Sequence, residues 1–265
     1  MELERFRKAK EKEVRELKAA WASGSLPKAW PGTRPDFRKA LQNRGHKPLS
    51  VIAEYKRASP SKGLICDTVS VEEAAKAYAG SGADALSILT EEHFFRGELS
   101  FLTRARAALE KEGCMTPLLR KDFLFDPLQI EASLASPASA LLLIVRLTPS
   151  PHTLSALIEQ TEKNGLAAVV EVFDATDLTI ARESGASIIQ VNARNLETMQ
   201  VDRSAQLALA KKHPPRSSEI WIAASGIDKS EHLREAADAG FSACLIGTAC
   251  MAGGKPGKAL AELLG

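Results

Sequence analysis

From residue 51 onward, short runs in which nearly every position is apolar alternate with longer stretches whose apolar positions recur every three or four residues. The short runs, at 51–55, 83–89, 116–119, 140–145, 167–172, 187–191, 220–223 and 243–246, predict strands covered on both faces. The longer stretches, at 71–81, 99–111, 127–134, 150–164, 175–184, 203–212, 229–239 and 255–264, predict helices. In the first of these, Val71, Ala74, Ala75 and Tyr78 fall on one side of the helix. Gly82, Gly165, Gly185 and Gly240 stand where four helices must stop, and glycine accepts the left-handed turn that ends a helix.

Eight strand–helix units in succession predict parallel strands joined by crossover helices. The expected fold class is α/β, a (β/α)8 TIM barrel over residues 49–265, preceded by an N-terminal helical extension over residues 1–48. A doubly wound open sheet is the rival. It often carries a G-x-G-x-x-G turn after its first strand, and KRASPSKG is not one. Within the extension, residues 4–20 mix Lys, Arg and Glu with Phe6, Val14 and Leu17 and read as a solvated amphipathic helix. A loop follows in which two prolines flank Trp30, and then a short helix at 36–42.

The chain has 265 residues, enough for one large barrel to bury its core without disulfides or metal. Its net charge is +2, so no global field favours nucleic acid or membrane, although a local cluster of donors is still compatible with a phosphorylated small molecule. Cys66, Cys114, Cys244 and Cys250 form no C-x-x-C pair and read as small thiols of a reducing cytosol. The charged start lacks the apolar stretch of a signal peptide, and no run is long enough to span a bilayer, so a cytoplasmic location is expected.

In such a barrel the chemistry belongs at the carboxyl ends of the strands. There the sequence places Glu54, Tyr55, Lys56 and Arg57 after strand one, Arg120, Lys121 and Asp122 after strand three, and Glu171 at the end of strand five. Asn192 and Arg194 follow strand six, Ser225 and Gly226 strand seven, and Gly247 and Thr248 strand eight. The glycines, the two hydroxyls and a short helix over 248–252 suggest a phosphate seat, since backbone amides at a helix start favour an anion. Lys56 and Lys121 are expected in one cavity, with Arg57, Arg120 and Arg194 nearby. A lysine there can act as general acid while pairing with an anionic substrate, and Glu54 and Glu171 can hold the lysines or relay protons. No histidine sits in a metal-ligand spacing and no G-x-S-x-G elbow occurs, so neither metal nor cofactor is expected. A Schiff-base lysine, as in an aldolase, stays open at this point.

The stretches VIAEYKRASPSKG (51–63), SILTEEHFFRGE (87–98), PLLRKDFLFDPLQI (117–130), LLLIV (141–145), VVEVFDATDL (169–178), VNARNLET (191–198), SGI (225–227) and LIGTACM (245–251) resemble indole-3-glycerol-phosphate synthases. The resemblance implies decarboxylating ring closure of 1-(2-carboxyphenylamino)-1-deoxyribulose 5-phosphate by a monomer or weak homo-oligomer. It implies Lys121 as general acid, Lys56 as partner of the substrate carboxylate, Glu171 for later proton transfers, and Glu54 and Asn192 as supporting polar groups. Ser59, Arg194, Ser225, Gly226, Gly247 and Thr248 match positions around the phosphate. Phe95, Phe123, Leu142 and Leu196 match the apolar wall against the aromatic ring. One departure is Ala224, where the family usually carries glutamate before S-G-I. It removes an acceptor for a substrate hydroxyl or for Lys56, and keeps open a degenerate barrel that binds a phosphorylated ligand without turnover. Thr248, where serine is common, keeps its hydroxyl. The isomerase that precedes the synthase in the pathway is disfavoured, because strand one here ends with Glu54 and Lys56 and not with the cysteine base of that enzyme.

Overall fold

The computed structural model describes residues 2–43, 45–195 and 198–265. Eight strands, β1 (Ser50–Tyr55), β2 (Ala85–Leu89), β3 (Leu118–Leu124), β4 (Ala140–Ile144), β5 (Ala167–Val172), β6 (Ile188–Asn192), β7 (Ile220–Ala224) and β8 (Ala243–Ile246), close into a barrel. Every neighbouring pair is parallel and consecutive in the chain, and β8 returns to β1 with Val51 opposite Cys244. This is the (β/α)8 TIM barrel that the alternating runs predict.

The strands are mostly apolar because their alternate residues serve two cores. Ile52, Leu119, Leu142, Val169, Ile188 and Ile222 fill the lumen, while Val51, Leu118, Leu141, Val170, Ile189 and Trp221 pack against the surrounding helices. The helices are α1 (Glu2–Ala22), α2 (Phe37–Gln42), α3 (Val71–Gly80), α4 (Ser100–Lys111), α5 (Pro127–Ser133), α6 (Pro151–Lys163), α7 (Ala175–Glu183), α8 (Arg203–Lys212), α9 (Ser230–Asp238), α10 (Thr248–Met251) and α11 (Pro256–Leu264). Their starts are encoded locally. Ser70 and Glu73 form a reciprocal capping box on α3, and Asp126 with Gln129 does the same on α5, whose first residue is a proline. Gly82, Gly165, Gly185 and Gly240 all take positive φ where the sequence expects helices to stop.

Two sequence expectations change. The third strand does not end at residue 119 but continues through Arg120, Lys121 and Asp122 to Leu124. Charged residues can prolong a buried strand when each finds a partner, and here they do. A register shift against β4 between Arg120 and Leu124 marks a local irregularity, a feature common beside active sites.

The second change is α1, which is not simply a solvated helix. Phe6, Lys10 and Val14, spaced one turn apart, are buried. Phe6 stacks on Phe123 with ring centroids 4.4 Å apart and meets Phe94 edge-on at 5.0 Å. Lys10 Nζ lies 2.9 Å from Asp122 Oδ1 and also pairs with Glu13. Arg7 donates to the carbonyl of Leu147 at 3.1 Å. The extension therefore lies against the carboxyl end of the barrel, held there by an aromatic stack and a buried ion cluster. No described helix is long and apolar enough to cross a membrane.

Candidate active site

The carboxyl ends of the strands surround a cavity that opens to solvent. Its lining includes Glu54, Lys56, Ser59, Phe95, Lys121, Phe123, Leu142, Glu171, Asn192, Arg194, Ala224 and Ser225. Strand alternation aims the key groups: Lys121 stands between Leu119 and Phe123 on the lumen side, and Glu171 two residues beyond lumen-facing Val169.

Two lysine–carboxylate pairs stand inside. Lys121 Nζ lies 3.3 Å from Glu171 Oε2, and Lys56 Nζ donates to Glu54 Oε1 at 2.8 Å. The hydroxyl of Ser87 reaches the other Glu54 oxygen at 3.3 Å. Burial alone would push the Glu54 carboxyl upward, but Lys56 and Lys121 hold it below the usual carboxylate range. Glu54 is thus anionic and available to anchor Lys56. Glu171 is likewise buried but meets the Lys121 ammonium directly.

The opposite wall is polar and tightly connected. Asn192 Oδ1 accepts from Ser225 Oγ at 2.8 Å and from the Arg194 backbone N–H at 2.9 Å. Ser225 takes φ +72, a conformation costly for a residue with a side chain, which that bond helps hold in place. Arg194 donates to the carbonyl of Met199 at 2.9 Å and to Ser61 Oγ at 3.3 Å, and burial moves its guanidinium pKa downward. Ser59 sits with Pro60 and Ser61 in the loop after β1, where a short antiparallel pair (Ala58–Ser59 with Gly63–Leu64) shapes the rim.

Other expected residues fall elsewhere. Gly226, Gly247 and Thr248 lie on the loops after β7 and β8, outside the cavity lining. Gly247 is needed for packing: a Cβ there would stand 2.5 Å from Glu54 Oε1. At Gly226 an added Cβ would meet Val201 Cγ1 at 2.7 Å. Thr248 opens the four-residue α10, as the short-helix expectation had it. Arg120 and Arg57 are corrections. Arg120 turns away from the lumen to Asp122 (2.9 Å) and Ser133 (2.7 Å), and Arg57 lies over Phe101, 4.0 Å from Glu98. Leu196 lies outside the described residues.

Of the lining residues that the sequence reading does not single out, Phe6, Glu91 and Gln190 bear on the site. Phe6 comes from α1, and nothing in the local pattern of that helix places it at the mouth. Glu91, fully buried, accepts the backbone N–H groups of His93, Phe94 and Phe95 and so orders the loop that carries Phe95. Gln190 donates its amide to Glu171 Oε2. A polar residue inside the apolar run of 187–191, facing the same way as Asn192, was the signal for it. Among the described residues, no three His, Cys, Asp or Glu side chains group as metal ligands.

Two ammonium–carboxylate pairs in a cavity walled by Phe95, Phe123 and Leu142 can bind an aromatic anion and move protons within it. Fold and cavity together define an enzyme of the (β/α)8-barrel class. The chain matches the indole-3-glycerol phosphate synthase family over residues 3–263 and belongs to it. It is 40% identical over 229 residues to an indole-3-glycerol phosphate synthase of Mycolicibacterium vanbaalenii, covering 86% of this chain and 80% of the relative. Another of that name from Aquifex aeolicus is 41% identical over 230 residues, covering 87% and 86%. Among solved structures, a 3-hexulose-6-phosphate synthase shares the fold at 16% identity, with a TM-score of 0.62 over 81% of this chain and 98% of its own.

Proposed function

We infer that this chain is an indole-3-glycerol-phosphate synthase of tryptophan biosynthesis, a carboxy-lyase that closes the indole ring of 1-(2-carboxyphenylamino)-1-deoxyribulose 5-phosphate with loss of CO2 and water. The observation that carries this is the convergence of Lys56 and Lys121, each beside a buried carboxylate, in one cavity with an aromatic wall. Lys121 protonates the ketone oxygen as the ring carbon attacks, so that the new carbon–carbon bond forms without an unprotonated alkoxide. Lys56, anchored by Glu54, pairs with the anthranilate carboxylate until CO2 departs. Glu171 serves the later proton transfers that end in loss of the hydroxyl as water. Phe95, Phe123 and Leu142 hold the aromatic ring, while Asn192 orders the polar wall.

Phosphate falls to Arg194, Ser59, Ser225 and the loops of Gly226, Gly247 and Thr248. The rigid Asn192–Ser225–Arg194 connection supports that assignment, because a preformed donor set loses little entropy on binding. Residues 1–48 act as an extension of a catalytic barrel over 49–265, not as a separate domain. The protein works in the cytoplasm on a small phosphorylated substrate, as a monomer or weak homo-oligomer, without metal or cofactor.

Purified protein mixed with the substrate in EDTA-containing buffer is expected to raise indole fluorescence. Tight binding of the substrate with no fluorescence change would leave the degenerate barrel as the correct reading. A second expectation concerns the seam between β1 and β8. Gly247→Ala brings a Cβ into the space of the Glu54 carboxylate that anchors Lys56, so that Glu54 must shift, and a displacement of about 1 Å at such a site costs up to 100-fold in rate. Steady-state kinetics of this variant should show kcat falling at least ten-fold. Unchanged kinetics would mean that Glu54 accommodates the added methyl group without loss to the reaction, and that Gly247 is not required at this seam.

A further inference from the structure

Gln190 occupies an unusual place. It is fully buried, lines the cavity, and sits beside Glu171 in the β5–β6 register. Its Nε2 donates to Glu171 Oε2, the same oxygen that receives Lys121. Its Oε1 has no hydrogen-bond partner among the described residues, and of the described buried polar atoms left unmatched it alone belongs to a side chain lining the cavity of Lys56 and Lys121.

The chemistry of the three groups fixes what the amide does. An ionised carboxylate only accepts, so Gln190 must show it the NH2 end and keep the oxygen end for something else. With one Glu171 oxygen shared between two donors, the ammonium of Lys121 stands off at 3.3 Å, longer than the usual 2.7–2.9 Å of a charge-assisted hydrogen bond. A lysine held loosely is free to turn to a substrate oxygen, whereas a lysine locked into a tight ion pair must first break it. An unmatched buried acceptor is costly to keep, which makes sense if a bound ligand fills it.

Resting on the synthase reading, we propose that Gln190 is a positioning residue for ring closure: its amide N–H holds Glu171 away from a tight pair with Lys121, and its free oxygen accepts a hydroxyl or N–H of the substrate. It thereby supplies an acceptor on β6, one strand away from Ala224, where the sequence lacks the glutamate that the resemblance leads one to expect.

Two variants and two readouts test this. Gln190→Met keeps length and bulk but removes both polar ends. Its kcat is expected to fall ten- to one-hundred-fold, with KM rising two- to five-fold and an unchanged circular dichroism spectrum. In its crystal structure Lys121 Nζ should close to within about 3 Å of Glu171 Oε2. Gln190→Glu puts an acceptor where a donor was, so at neutral pH it should be at least as impaired. When acidification protonates one of the paired carboxyls, a donor returns, and the activity of this variant relative to wild type should climb as pH falls. A merely structural role would leave that ratio flat. Gln190→Met within two-fold of wild-type kcat, or a flat ratio for Gln190→Glu, overturns the proposal. If the wild-type enzyme itself fails to turn over, the synthase reading falls, and the Lys121–Glu171 separation in Gln190→Met still decides the role of Gln190: an unshortened distance overturns it.

Discussion

Lys121→Ala is expected to lower kcat about a thousand-fold while moving Tm by no more than about 5 °C. The size of the first effect follows from the task. A general acid aimed at an oxygen that gains a proton in the transition state contributes roughly 10²–10⁴ in rate, and no other described ammonium stands within bonding distance of Glu171. The second effect is small because the cavity is open to water and Gln190 still donates to Glu171 once the lysine has gone. Lys121→Arg separates charge from acidity. Guanidinium keeps the cation for binding but does not release a proton at ordinary pH, so KM should recover while kcat stays low. Turnover of Lys121→Ala at the wild-type rate would remove this lysine from the chemistry.

The largest expected loss of stability comes from the neighbouring residue. Asp122 accepts Lys10 Nζ at 2.9 Å, Arg120 Nη2 at 2.9 Å and the Thr90 hydroxyl at 2.6 Å, all away from bulk water. Burial alone would raise its carboxyl, but Arg120 and Lys10 outweigh that and hold it far below the usual carboxylate range. Asp122→Asn leaves the buried Lys10 and Arg120 to share the partly exposed Glu13, and breaking such a cluster from one side costs about 3–5 kcal/mol. In a chain of this size that corresponds to a Tm lower by roughly 10 °C at pH 7. The sign of the pH dependence is fixed. A carboxyl whose folded pKa is depressed stabilises fully above its unfolded pKa, near 3.9, and that stability drains away as pH falls toward the folded value. The gap between wild type and Asp122→Asn should therefore close progressively below about pH 4. A gap independent of pH in thermal melts would mean the aspartate contributes shape and not charge. Lys10→Met should also cost less in the Asp122→Asn background than in wild type, because the two side chains act as one unit.

Much of the architecture was legible because local rules and global fold agree. Apolar runs predicted all eight barrel strands, and glycine at 82, 165, 185 and 240 ended helices where expected. What escaped the sequence depends on partners distant in the chain. Lys10 looks like one more surface charge until Asp122 and Arg120 arrive beneath it. The charges that seemed to end the third strand are its continuation, tolerated because Arg120 and Asp122 pair with each other and with Lys10 of α1, while Lys121 meets Glu171 of β5. The misplacement of Arg120 was avoidable. If Lys121 faces the lumen, a period of two turns Arg120 outward, and the same period turns Gln190 inward beside Asn192. At the glycines after β7 and β8, close contact with Glu54 and with Val201 and Arg203 sets a packing demand that no motif records.

The meeting of Glu54 with Gly247 has a consequence for how the enzyme comes into being. The first strand of the barrel finds its second neighbour only when the last strand has been synthesised, so that closure joins opposite ends of the polypeptide. Pairings of such long sequence separation form late, since the intervening chain must be ordered before they are rewarded. Until β8 is made, β1 has only β2 beside it, and the Glu54–Lys56 side of the cavity lacks the wall that Leu245 supplies and the close packing of Gly247 against Glu54.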